Sequence, residues 1–243
     1  MGVEQSRLEQ YPSNIDEMYE IYETYTQNNK NNNHIHQHIK ENHLNLPKKG
    51  MSTLPEFVIE IAANDILEYL TKTGFKDQCK ILDVFSGNGI ASNIIHKKLN
   101  VEMKSTDALD LSMYMDENSY PVEFNLTGVD AVKKYSGDEY GYNTLLMICP
   151  PPSSLSDSDG EDISILYSSY SDYFTIKEWA KVKSAKLFIF VGEMGASDGS
   201  SGLYHYMLEN NPDWKLEYRE MLHFGYDIFG GDVEKELFIF SKI

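Results

Sequence analysis

Between residues 80 and 191, short apolar runs alternate with stretches whose apolar positions recur at helical spacing, and this alternation constrains the fold more than any other property of the chain. Strands are predicted over residues 80–85, 101–106, 122–124, 144–149 and 185–191, and helices over 91–99, 129–135, 163–182 and 203–210. A helix opening near Pro55 precedes them, with Val58, Ala62, Ile66 and Tyr69 on one face and Gly74 as its stop. Two further strands, 215–222 and 236–241, close the chain. Strands this uniformly apolar are buried on both faces, which implies a mostly parallel sheet between two helical layers. The closing pair lacks a long crossover helix, so it is expected to add an antiparallel edge.

The first 50 residues follow a different logic. Asn28 to Asn33 form a polar low-complexity tract that continues into His34, His36 and His38, which reads as a linker rather than a metal site. Before it, Ile15, Met18, Tyr19, Ile21, Tyr22 and Tyr25 are spaced for a short helix. Residues 1–50 are therefore expected to be a largely disordered tail, and residues 51–243 the folded domain. Met1 to Ser6 fit the M-G-x-x-x-[ST] pattern, which makes Gly2 a candidate for N-myristoylation. One acyl chain gives only weak membrane association, and Arg7 is the only nearby base. With two cysteines and no apolar leader, a cytoplasmic protein is expected, or a peripheral membrane protein if Gly2 is acylated.

Charge narrows the partners. Residues 51–243 hold 31 acids against 16 bases, so no basic stripe is available to neutralise phosphates, and autonomous nucleic-acid binding is disfavoured.

The strongest local motif is Asp83-Val84-Phe85-Ser86-Gly87-Asn88-Gly89, where the first strand gives way to a helix. Ligands of open α/β sheets sit beyond the carboxyl ends of the strands, and glycines in such a turn admit a ligand to the backbone. Ser92 occupies the place of the third glycine of a dinucleotide fingerprint, which argues against a pyrophosphate cofactor and a nicotinamide-dependent oxidoreductase. Asp107 follows the second strand, where a carboxylate can accept from both ribose hydroxyls; capping a turn is the alternative role.

These features, with the prolines after the fourth strand, resemble motifs of the class I S-adenosylmethionine-dependent methyltransferases, over a layout spanning residues 55 to 243. The resemblance implies a Rossmann-like domain with S-adenosylmethionine as cofactor. It implies that Gly87 and Gly89 approach the amino-acid part of the donor, that Asp83 helps bind it and that Asp107 holds the ribose, with Phe85 and Ser86 of the same turn also counted among the cofactor-binding residues. Asn125 or Asp130 falls where the family contacts adenine.

The reaction side is less regular. Cys149-Pro150-Pro151-Pro152-Ser153 resembles the D/N-P-P-Y/F motif of amino-methyltransferases only in its prolines, so Pro150 and Pro151 are expected to wall the pocket. In that family the first side chain and a neighbouring carbonyl accept from the target amine, and cysteine at that place counts against amine methylation. Cys149 as a nucleophile, after the manner of cytosine C5-methyltransferases, lacks both the Pro-Cys order and an adjacent base in sequence. The acidic run Ser156 to Asp162 lacks the later acid of a calcium loop and reads as solvated. Tyr167, Tyr170, Tyr173, Phe174 and Trp179 read as core packing at helical spacing, with an acceptor pocket as the alternative. Glu193, in the glycine-rich loop after the fifth strand, is the candidate polar group facing an acceptor, as general base or hydrogen-bond acceptor; capping the following helix is the alternative role. The expected function is methyl transfer to a small molecule or protein; the alternative is a catalytically degenerate donor-binding or scaffold protein.

Overall fold

A computed structural model describes residues 54, 56–150, 171–195, 198–209, 211–226 and 232–243. The tail with Gly2, the acidic run, Pro151, Tyr167 and Tyr170 lie outside the described residues. The first helix, α1 (Glu56–Lys72), buries Val58, Ile59, Ala62, Ala63, Ile66 and Leu70 on one face. Gly74 stops it as predicted: its φ of +69° turns the chain, and Phe75 N–H donates to the Leu70 carbonyl at 2.9 Å.

Among the described residues, six further strands and four α-helices follow β1 (Lys80–Val84). They are α2 (Ile90–Leu99), β2 (Glu102–Thr106), β3 (Val122–Glu123), α3 (Gly128–Tyr135), β4 (Thr144–Ile148), α4 (Ser171–Lys181), β5 (Leu187–Gly192), α5 (Ser201–Tyr204), β6 (Trp214–Tyr226) and β7 (Asp232–Lys242). The predicted helix over 203–210 begins as α5 and widens into a π turn over His205–Glu209. The sheet runs β3-β2-β1-β4-β5-β7-β6, with β1 to β5 parallel and β7 antiparallel to both neighbours. This is a Rossmann-like α/β fold, in which β1 and β4 flank the point where the strand order reverses. The antiparallel addition is confirmed with one refinement, since β7 inserts between β5 and β6 and leaves β6 at the edge.

Both faces of the sheet are buried. Leu187, Ile189 and Val191 of β5 join Ile81, Leu146 and Ile239 against α1 and α2. The alternate residues Phe188 and Phe190 face the opposite layer, where Phe188 stacks on Phe240 at 5.8 Å and Trp179 Nε1 donates to the Leu187 carbonyl. Tyr173, Phe174 and Trp179 are buried in α4, and Tyr173 meets Tyr206 edge-on at 5.6 Å, so these aromatics pack the core. No helix among the described residues is long and apolar enough to cross a membrane.

Candidate donor site at the strand ends

Asp83 closes the apolar run of β1 and is 1% exposed. Three hydroxyls from three elements converge on its Oδ2: Ser92 of α2 at 2.6 Å, Ser86 of the turn at 2.8 Å and Ser105 of β2 at 2.9 Å. Oδ1 receives none of them. Burial pushes the carboxyl up to about 6 against the lowering effect of the hydroxyls, and the charge of Asp107 adds to the rise. Ser86 also stitches the two strand exits together, since its N–H donates to the Thr106 carbonyl and its Oγ accepts from Thr106 N–H.

The turn beyond Asp83 carries three positive φ angles: Phe85 at 62°, Gly87 at 60° and Gly89 at 80°. The value at Phe85 is an outlier for an aromatic residue, and strain of this kind collects at ligand sites. Its ring tip reaches the start of α3, where a Cβ on Gly128 would lie 3.1 Å from Phe85 Cζ. The two turn glycines differ in what they admit. A Cβ on Gly89 would meet the Tyr120 carbonyl at 2.4 Å, so that glycine accommodates the chain's own loop; a Cβ on Gly87 meets nothing within 4 Å. Gly87 therefore presents bare backbone to open space.

Asp107, 8% exposed, lies behind the turn. Its Oδ2 accepts from Gly87 N–H at 2.8 Å and its Oδ1 from Leu109 N–H at 2.9 Å. Burial raises this carboxyl too, to about 6, against the backbone donors. The local turn role foreseen for Asp107 is thus real, and the same carboxylate ties β2 to the glycine turn. Among the described residues, neither Asp83 nor Asp107 makes an ion pair with a basic side chain.

Beyond the end of β3, Asn125 is exposed with a φ of 61°, while Thr127 caps α3: Asp130 N–H donates to Thr127 Oγ1 at 3.1 Å, and that hydroxyl donates to Asp130 Oδ2 at 2.9 Å. Of the two residues foreseen near adenine, Asp130 is occupied in starting α3 and Asn125 is turned out at the strand end.

A slot of 50 Å³ lies beneath the turn, lined by Asp83, Phe85, Ser86, Gly87, Asn88, Ala91 and Ser92 on one side and by Ile148 and Cys149 on the other. It has room for an amino-sized group, while a nucleoside has to lie across the open turn. A larger groove of 560 Å³ runs along the outer faces of α1 and α2, away from Asp83 and Asp107.

On the reaction side, Cys149 has a φ of 45° and its N–H donates to the Val191 carbonyl at 2.8 Å. The other cysteine, Cys79, is buried beside Thr144, and burial pushes its thiol up to about 11, which leaves it inert. The Pro150 carbonyl accepts from Gly199 N–H at 2.8 Å. Three successive residues fasten this loop. Asp198 forms a buried ion pair with Lys235 of β7 and accepts from Glu193 N–H at 2.8 Å; Gly199 holds Pro150; and Ser200 donates from its N–H and hydroxyl to the buried Asp172 at 2.6 and 2.7 Å. Glu193 is half-buried on the first residue after β5, in the segment this clasp holds. Among the described residues no group of three His, Cys, Asp or Glu is arranged to hold a metal.

The chain is similar to solved methyltransferase structures. One is magnesium protoporphyrin IX methyltransferase from Synechocystis with S-adenosylmethionine bound, at 9% identity, covering 77% of this chain and 81% of that one, with a TM-score of 0.45. A candidate RNA methyltransferase from Pyrococcus horikoshii matches at 11% identity over 75% of this chain and 82% of that one, also at 0.45. A protein from Thermoplasma acidophilum matches at 15% identity over 77% and 96%, again at 0.45. No family model and no curated protein matches the chain. Likeness at this level leaves the function to the chain's own residues.

Of the residues singled out in the sequence, Asp83, Phe85, Ser86 and Gly87 line one slot, and Asp107 is joined to that turn through the Gly87 amide, a bond the sequence did not announce. Nor did it foresee Ser92 and Ser105 as partners of Asp83, or the Asp198–Lys235 pair. Ser92 was visible only as a missing glycine, and Ser105 becomes a partner through strand register, which sets it opposite Asp83.

Proposed function

We propose that this chain binds S-adenosylmethionine across the Gly87 turn and transfers its methyl group to a small molecule or a protein side chain. The observation that carries the reading is a pair of buried carboxylates, Asp83 and Asp107, at a turn where no basic side chain among the described residues pairs with either. A buried acid without a counter-charge is costly, and a cationic ligand relieves that cost. The donor carries an ammonium and a sulfonium, whereas the pyrophosphate of a dinucleotide would set negative charge against the same acids. Asp83 Oδ1 offers the ammonium an acceptor at the slot. Gly87 lets the ligand lie against the backbone, Asp107 retains lone pairs for ribose hydroxyls beyond those its backbone donors use, and Asn125 is the exposed candidate for adenine.

Bound S-adenosylmethionine supplies a methyl group activated on sulfur. The protein's task is then alignment and exclusion of water, for which the loops after β4 and β5, carrying Cys149, Pro150 and Glu193, are the candidates. The acidic surface favours a small molecule or protein acceptor over nucleic acid.

A second reading, a donor-binding scaffold without catalysis, draws support from the Pro150 carbonyl. That group already accepts from Gly199, and Cys149 replaces the polar side chain that would hold an amine beside it. Label transfer from methyl-tritiated S-adenosylmethionine decides between them, with small molecules and protein fractions counted separately and Gly87→Asp as the blank. Label above the blank in either fraction supports transfer; donor binding with no transferred label overturns it in favour of the scaffold.

A further inference from the structure

We infer that Ser92 and Ser105 are positioning residues, which hold Asp83 Oδ2 so that Oδ1 faces the slot and selects ligands carrying an ammonium group; this rests on the donor-binding reading above. Ser86 Oγ lies within hydrogen-bond distance of three acceptors, Asp83 Oδ2 at 2.8 Å, Thr106 O at 3.1 Å and Asp83 O at 3.2 Å, yet it has one proton to give. Among the described residues, Ser92 and Ser105 have no acceptor but Asp83 Oδ2, at 2.6 and 2.9 Å, so their protons are committed to it. They approach from different elements, Ser92 from the first turn of α2 and Ser105 from β2, and both are fully buried. Two fixed donors on one oxygen set the plane of the carboxylate and leave the other oxygen to a ligand. The slot beside it, 50 Å³, admits an ammonium and is too small for a nucleoside.

The same hydroxyls favour the ionised form of a carboxyl that burial holds near 6. The other ionisable groups felt at this point are the Asp107 carboxylate, which raises it further, and the Tyr120 phenol. Losing a hydroxyl therefore weakens the hold on a cation and shifts its pH dependence upward.

The test is calorimetric titration of the full chain with S-adenosylmethionine and with 5′-methylthioadenosine, a neutral thioether that keeps the nucleoside but has neither the ammonium nor the sulfonium charge, between pH 5 and pH 8. In Ser92→Ala and Ser105→Ala, affinity for S-adenosylmethionine is expected to fall about tenfold, the weight of a hydrogen bond to a charged group. The midpoint of its pH dependence should rise, affinity for 5′-methylthioadenosine should stay, and Ser105→Thr should restore most of the loss. Equal losses for both ligands, or none for either, overturn the inference while leaving donor binding intact. Failure of the unaltered chain to bind S-adenosylmethionine at any pH overturns the donor reading and the inference with it.

Discussion

The amide of Gly87 donates to Asp107 Oδ2 at 2.8 Å, so the turn after β1 and the acid after β2 form one unit. The turn is shaped from below by a carboxylate and open above, where a side chain on Gly87 would meet nothing. Gly87→Asp tests this unit. Aspartate tolerates a positive φ better than most residues, so the variant should fold, at a cost of about 1 kcal/mol. Its new carboxylate would stand in the ligand's path and beside Asp107. Isothermal titration is expected to show loss of S-adenosylmethionine binding by a protein with an unchanged far-ultraviolet spectrum.

Gly89→Ala should behave in the opposite way. Its Cβ would press to 2.4 Å of the Tyr120 carbonyl at a φ of 80°, so the loop that donates from Tyr120 N–H to the Gly89 carbonyl has to move. Destabilisation of about 2–4 kcal/mol is expected in urea unfolding, with any loss of binding following from the fold.

Those two glycines also show how far the sequence could be read. Strand and helix order was legible because hydrophobic period is local, and the Asp83 to Gly89 turn because turn chemistry is local. Which glycine meets a ligand and which meets Tyr120 was not, since Tyr120 is brought there by the β2–β3 connection. Ser105 lies 22 residues from Asp83, and Lys235 lies 37 from Asp198; register joins the first pair and the β5–β7 pairing brings the second together. The outer parts of the β6–β7 hairpin, beyond the predicted 215–222 and 236–241, lack a clear apolar period and are held by antiparallel backbone pairing.

Stability and ligand response should depend on pH in opposite directions. Asp83 and Asp107 both rise from 3.8 to about 6 in the folded chain, so between those values the native state binds more protons than the unfolded one. Their contribution to stability is complete below pH 4 and is lost as pH rises through 6, by a few kcal/mol for the two together. The ionised pair is also what receives a cation. Differential scanning fluorimetry should show the shift in Tm produced by S-adenosylmethionine growing from pH 5 to pH 7.5; a shift independent of pH would separate these acids from the site.

The Asp198–Lys235 pair, each side chain 4% exposed, holds the loop that carries Glu193 and meets Pro150. Lys235→Met leaves Asp198 buried without its cation and should cost about 3–5 kcal/mol. Lys235→Met with Asp198→Asn should recover part of that loss, because an amide is less costly to bury than an unpaired charge. Chemical denaturation of the two single variants and the double variant measures the coupling.

Calorimetric titration of the full chain at pH 7.5 with S-adenosylmethionine, with NAD as the anionic control, tests the central claim most directly. Saturable one-to-one binding of S-adenosylmethionine in the micromolar range, lost in Gly87→Asp, with no heat from NAD, is the predicted result. Binding of NAD in preference to S-adenosylmethionine, or S-adenosylmethionine binding that survives Gly87→Asp unchanged in a folded protein, would contradict it.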